Sequence, residues 1–347
     1  MAARPTLADV AALAGVSLKT ASRAMNREYG VAEATADRVR EAARTLGFRL
    51  NHLARALASK QTSAAVGLIV PGVSDPFMAA LVAVIEAALA PRELQLVSAS
   101  HGDDTGRQRR IIATVVERRA DALVVVSAPG DASYLQPDLD HGLVVVAIDR
   151  PLTGVAVDTV TVDNRAAMRV TMSELLTSGH RRVAVLGFDP RVWTVAERYE
   201  GYCEALRSAG LPLDPELVAL SAADSAEVQG SVTRMLEMAD PPTAVVAIQH
   251  RAGRAAIRAM LATGARLELT VFDEVADPDL LVIPPLTVVA SDPVRLGAAA
   301  AAMTLERLDG FVGAARSTVL PAHFEHPRDT VTAPTGAAAV PTERQVV

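Results

Sequence analysis

The sequence predicts an α/β protein with a small helical head at its N-terminus. Three observations lead there. Apolar runs of four to six residues recur from residue 65 onward, and helical stretches separate many of them. Continuous apolar strands joined by helices form parallel sheets covered on both faces. Residues 5–60 instead carry three short helical patterns punctuated by Gly15 and Gly47. The charge also divides unevenly. Residues 1–60 hold ten basic and five acidic residues, net +5, whereas the whole chain is −6 and the remainder therefore −11. A basic head on an acidic body suggests that only the head meets a polyanion.

A chain of 347 residues is too long for one ordinary domain, and 50% hydrophobic residues supply a core built mostly from small aliphatic side chains. No apolar run reaches the ~20 residues that cross a bilayer. Met1 to Pro5 lacks the apolar core of a signal peptide, so a cytoplasmic location and no membrane partner are expected. The single cysteine, Cys203, excludes an internal disulfide and has no partners for a zinc site. No metal or cofactor is expected.

In the head, Thr6 caps a helix that begins at Leu7, and Asp9 stands where a carboxylate caps in return. Gly15 ends that helix. Ser17 caps a second, Leu18 to about Met25, and a third runs from about Glu33 to Leu46. Helix, short glycine turn and helix is the spacing of a helix-turn-helix, whose second helix enters the major groove. Its exposed face carries Leu18, Lys19, Ser22 and Arg23, of which Lys19 and Arg23 can donate to guanine O6 and N7. Ser17, Thr20 and Asn26 suit phosphate oxygens. A three-helix bundle with no DNA role fits the same periodicity.

In the body, strands are expected at Ala65–Val70, Leu94–Ser98, Ala122–Val126, Val144–Ile148, Val183–Gly187, Ala244–Ile248 and Leu269–Phe272. Helices are expected at Pro76–Ala90, Thr105–Arg119, Arg165–Ser178, Val195–Ala209, Ser225–Met238, Arg251–Ala262 and Pro293–Leu308. Two sheets with a ligand between their strand carboxyl ends would make a two-lobed binding body. The pattern alone equally fits an α/β enzyme, but no dinucleotide fingerprint, P-loop, zinc motif or nucleophile elbow is present.

Residues 6–57 resemble the head of the lactose-repressor (LacI/GalR) family almost position by position. The matching elements are LADVAALAGVS, T-x-S-R-x-x-N at Thr20 to Asn26, Arg38-Val39, Leu46-Gly47-Phe48, Asn51, and Ala54-Arg55-Ala56-Leu57. Ala32, Ala36 and Leu50 depart from the family pattern outside the reading helix. The body is similar to the same family, and through it to periplasmic sugar-binding proteins, in stretches such as VGLIVPGVSDPFMAAL, VVVAIDRP, LLTSGHRRVAVLGF, ERYEGYCEALRSAGL and PPLTVVASDPVRLG.

The resemblance implies a head over residues 1–50, a hinge helix and linker over 51–62 and a two-lobed body over 63–330, and the Ala/Pro/Thr/Val-rich composition of residues 331–347 predicts a disordered tail. It implies a homodimer on a palindromic operator, with repression as the usual outcome. Ala54, Arg55 and Leu57 would lie in the minor groove, with Leu57 as the wedge between base pairs. A small-molecule effector, most simply a carbohydrate, would sit in the body. Phe77, Asp149, Arg198 and Asp273 match the family's effector positions, and Gln249-His250 stands where relatives carry Asn-Asp. Residues 264–272 also form a shorter stretch than usual, so the ligand edge of the second lobe is altered. Trp193, the only tryptophan, is expected either to stack on the ligand or to pack on its own lobe. A binding protein without DNA function, a regulator that has lost sensing, and an α/β enzyme are the rival readings.

Overall fold

The computed structural model describes residues 5–25, 29–46, 48, 64–220, 224–273 and 286–325. The chain divides after Ser63 into two units. The expected hinge and tail lie outside the described residues.

The first unit contains α1 (Leu7–Ala14), α2 (Leu18–Met25) and α3 (Glu33–Leu46). Its local signals act as the sequence predicts. The Thr6 hydroxyl accepts the Asp9 amide while the Asp9 carboxylate accepts the Thr6 amide at 2.7 Å, closing a capping box. Gly15 ends α1 at a φ of 65°, a left-handed conformation that glycine adopts without a Cβ penalty. Ser17 caps α2 by accepting the Thr20 amide at 3.1 Å. Val10, Ala14, Ala21, Ala24, Val39 and Ala43 form the buried centre. The alanines on the inner face of α2 are small enough to let it pack closely on its neighbours.

The second unit holds two sheets. The first has the order β11-β5-β4-β3-β1-β2, formed by β1 (Ala65–Val70), β2 (Gln95–Ser100), β3 (Ala122–Val125), β4 (Val144–Ile148), β5 (Asp158–Val162) and β11 (Ser317–Leu320). All its pairings are parallel. On one face pack α4 (Pro76–Leu89) and α11 (Pro293–Leu308), around Leu81, Ile85, Leu296 and Ala300. The other face packs against α5 (Thr105–Glu117) and residues near α6 (Gln136–Asp140).

The second sheet has the order β12-β10-β9-β8-β6-β7. Its strands are β6 (Val183–Leu186), β7 (Val218–Ala219), β8 (Ala244–Ala247), β9 (Glu268–Phe272), β10 (Leu286–Ala290) and β12 (His323–Glu325). Only β12 is antiparallel. The helices α7 (Asn164–Thr177) and α8 (Trp193–Ser208) cover one face, and α9 (Ser225–Leu236) and α10 (His250–Thr263) the other. Gly201 permits the close approach of α8 to α7, because a Cβ there would stand 2.6 Å from the Arg165 carbonyl oxygen.

The chain crosses between lobes after β5, after β10 and between β11 and β12. These crossings make the lobes discontinuous in sequence and put α11 in the first lobe. The apolar runs of the sequence do not mark β5, β7, β10, β11 or β12. β7, β11 and β12 are short edge strands, of which β11 and β12 alternate in exposure, and β5 (DTVTV) and β10 (LTVVA), each next to an edge, have their apolar runs broken by threonine, so no continuous apolar run picks them out. No helix among the described residues is long and apolar enough to cross a membrane.

Candidate functional site

Two regions carry the candidate residues, one in each unit. In the head, Ser17, Leu18 and Lys19 are exposed at the start of α2, and Thr20, Ser22 and Arg23 are half-buried. Ala21 and Ala24 point inward, so the outer face of α2 is the one proposed to meet bases. The hydroxyls of Ser17 and Thr20 share a hydrogen bond of 2.8 Å, which joins two groups assigned to phosphate into the cap of the helix. The Arg23 guanidinium donates to the Tyr29 carbonyl. A base contact by Arg23 therefore requires exchange of that bond. Asn26, Ala54, Arg55 and Leu57 lie outside the described residues.

In the body, Phe77, Asp149, Arg198, Gln249 and Asp273 line one cavity of about 540 Å³ at the carboxyl ends of strands from both lobes. Trp193 does not line it. It is half-buried as the first residue of α8, and its neighbour Thr194 faces the cavity instead.

Asp149 follows β4 with a φ of 64° and is buried. Burial pushes its carboxyl up to about 6, opposed by the Arg150 cation and reinforced by Asp273. Arg150 places Nε 3.5 Å from Asp149 Oδ2. Its Nη1 donates to Asp103 Oδ1 at 2.5 Å and to the Ser127 carbonyl at 3.2 Å. Asp103 is set in turn by His101, whose Nδ1 accepts the Asp103 amide at 3.0 Å. The proton must then sit on Nε2, which meets the Val126 carbonyl at 2.9 Å. Burial holds that imidazole below its usual value, consistent with a neutral ring.

In the second lobe, Arg198 is buried and donates from Nε to Asn164 Oδ1 at 2.7 Å. Its Nη1 reaches the Ile248 carbonyl at 2.7 Å and Asp273 Oδ2 at 3.0 Å. The guanidinium also lies 4.6 Å from the centre of the Phe272 ring. Asp273 follows β9 with a φ of 68°. The side-chain oxygen of Gln249 accepts the Phe188 amide at 2.8 Å, which leaves its NH2 as the available donor. His250 opens α10 rather than lying in a loop, 3.7 Å from Asp75 of the first lobe.

Asp75, Asp103, Arg150, Arg251 and Arg254 share the cavity and do not stand out in the sequence as site residues. Arg150 had a signal, its place beside Asp149. The arginines at 251 and 254 had another, a spacing of three at the start of a helix that follows a strand.

Comparison with known proteins agrees with this geometry. The family described as "Bacterial regulatory proteins, lacI family" matches residues 6–51. "Periplasmic binding proteins and sugar binding domain of LacI family" matches residues 63–333. The chain is 30% identical to the transcriptional regulator GalS of Salmonella typhimurium strain LT2, over 87% of this chain and 91% of that one. It is 31% identical to the regulator CelR of Thermobifida fusca, over 88% and 93%. The structure of a CelR–cellobiose complex superposes with a TM-score of 0.68 at 28% identity, covering 93% of this chain and 99% of that one. The lac repressor dimer bound to operator and the anti-inducer ONPF superposes with a TM-score of 0.76 at 20% identity, covering 94% and 99%, which is a likeness of fold. A helix-turn-helix head joined to a two-lobed ligand-binding body makes this chain a member of the LacI family of bacterial transcriptional regulators.

Proposed function

We propose that the chain is a homodimeric repressor whose hold on a palindromic operator is set by a sugar-like effector in the cleft of the body. The observation that carries this reading is the convergence of Asp149, Arg198 and Asp273, from the strand ends and helix of two lobes, on one cavity. Carboxylates and a guanidinium are the groups that bind vicinal hydroxyls in pairs. The cellobiose complex of CelR supports a sugar ligand. The lobes meet at this cavity, so a ligand that favours one lobe arrangement shifts the dimer between states of different operator affinity.

Dimerisation follows from the DNA. One small head buries too little surface for specificity, and two heads read a palindrome. Lys19 and Arg23 read base edges, and Ser17 and Thr20 position the head on phosphates. The outer residues Leu18 and Ser22 complete the reading face. Ala54, Arg55 and Leu57 take the minor groove at the centre of the site. The relatives are transcriptional regulators, and the proposed role of the cavity is recognition without turnover.

Selection of bound genomic fragments tests the whole reading. A palindromic consensus is expected, and Lys19→Ala should relax preference at one position per half-site by about 1–3 kcal/mol. A sugar panel on the selected operator then tests the cleft, where Arg198→Ala should abolish the response. Selection that returns no consensus, or a sugar response retained by Arg198→Ala, contradicts the proposal.

A further inference from the structure

A single ion pair between described residues joins the two lobes. His250 Nδ1 lies 3.7 Å from Asp75 Oδ2. Asp75 is the N-cap of α4 in the first lobe, and His250 is the first residue of α10 in the second. The other ion pairs among the described residues stay within the head or within one lobe. His250 and Asp75 both line the cavity of about 540 Å³ and a second one of about 250 Å³ that reaches β10 and β12. Open space on either side leaves little close packing around the pair, so what it adds to the lobe contact is mainly charge.

That charge depends on protonation. An imidazole ordinarily changes charge between pH 5 and 8, and only its protonated form attracts a carboxylate. The carboxylate is already positioned. Asp75 Oδ1 accepts the Phe77 amide at 2.9 Å as the cap of α4, which leaves Oδ2 toward His250.

Other charged groups act on the ring in both directions. Asp273 lines both cavities with it and favours the imidazolium, as does Glu325 of β12 in the smaller one. Arg251 and Arg254 on its own helix, Arg198 of α8 and the positive end of α10 oppose it. His323 of β12 lies 3.4 Å from Glu325, within its own lobe. Asp103 and Arg150 of the first lobe are bonded to each other. Asp149 also titrates in this range, at about 6. Its nearest cation is Arg150 of its own lobe, and Asp273 and Arg198 of the second lobe act on it with opposite signs, so its titration does little to join the lobes.

We propose that His250 and Asp75 form an acid-strengthened latch between the lobes, so that a fall in pH favours the lobe arrangement in which the two side chains meet. The latch needs only the two lobes and the space between them. Operator and effector do not enter its test, so its failure is separate from any failure of the effector reading. A ligand held more tightly by the latched arrangement would bind more tightly as pH falls, because both act on one equilibrium.

Small-angle scattering from the full-length protein at about pH 6 and about pH 8, at low ionic strength, reads the opening of the lobes. The wild type should be more compact at the lower pH. The ratio of latched to open molecules should rise about two- to fivefold, as expected of a partly exposed pair. His250→Asn should lose this difference. Asp75→Asn should lose it too while keeping the cap of α4, because asparagine caps as well as aspartate does. His250→Lys carries a fixed charge and should be compact at both pH values. Asp149→Asn should keep the wild-type difference. The charge of the whole chain also changes with pH, so each variant is read against the wild type, with the unfolding transition as the check that the body is intact. A wild type with no pH difference overturns the latch. So does a difference that persists in His250→Asn or Asp75→Asn, one removed by Asp149→Asn, or a His250→Lys variant that opens at pH 8 as the wild type does.

Discussion

Asp149 and Asp273 occupy equivalent places in the two lobes and behave differently. Each follows the third strand of its sheet, β4 and β9. Each has a left-handed backbone, with φ of 64° and 68°. Each donates its amide to the next strand, Asp149 to the Val160 carbonyl at 2.8 Å and Asp273 to the Val289 carbonyl at 2.9 Å. The backbone solution is thus repeated, but the surroundings are not. Asp149 is buried beside a cation supplied by the next residue in sequence, and its carboxyl rises to about 6. Asp273 is half-buried and takes its cation at 3.0 Å from α8, which comes from a distant part of the chain. The same turn therefore delivers a carboxyl that titrates within reach of neutrality in one lobe and a directly ion-paired carboxylate in the other.

The largest expected effect comes from Arg198→Ala. It removes the partner of Asp273 and leaves the Asn164 side-chain oxygen and the Ile248 carbonyl without their donor. Breaking a buried pair in this way costs about 3–5 kcal/mol. Hydrogen exchange should show lost protection in β9 and β10 with β4 unchanged. Equal loosening of both lobes would break the comparison.

Asp149→Asn sharpens it from the other side. The folded carboxyl titrates near 6 against an ordinary 3.8, so the folded chain holds the proton more tightly. Stability should then fall as pH rises from about 4 to about 6, with the cost, on the order of 2–3 kcal/mol, fully present above that window. The variant should raise the urea midpoint at pH 7.5 and give no gain at pH 4. Parallel pH profiles for wild type and variant would show that Asp149 is not the titrating group.

A smaller effect, about 2 kcal/mol, is expected for Gly201→Ala, whose new Cβ would meet the Arg165 carbonyl and force α8 away from α7. Displacement of Arg198 from Asn164 should lower ligand affinity along with stability. A stability loss with unchanged affinity would uncouple the helix packing from the site. Gln249→Ala should cost about 1 kcal/mol, since the Phe188 amide loses its acceptor. Its urea midpoint should shift slightly without any change in the pH profile that belongs to Asp149.

The head and much of the layered body are legible in the sequence. The bounds of α2, α3 and α11, Leu18–Met25, Glu33–Leu46 and Pro293–Leu308, are those expected from the sequence. Caps, glycine stops and helical periodicity are local signals, encoded within a few residues of the feature they create. The buried central strands are legible for a related reason, as strands covered on both faces are apolar throughout. Edge strands such as β11 and β12 are not, because a half-exposed strand takes its identity from the partner it pairs with.

In the cleft, the sequence points to five of the residues at the cavity and leaves out Asp75, Asp103, Arg150, Arg251 and Arg254. Phe77, Asp149, Arg198, Gln249 and Asp273 all follow strands or lie in the helices that leave them, and all reach one cavity. How these groups are used follows from the tertiary structure. Arg198 meets Asp273 across 75 positions and Arg150 meets Asp103 across 47. It also turned Trp193 away and brought in Thr194. The reason is physical. Secondary structure is set by neighbours along the chain, whereas charge pairing depends on distance, burial and competition among all groups that fold into the same space.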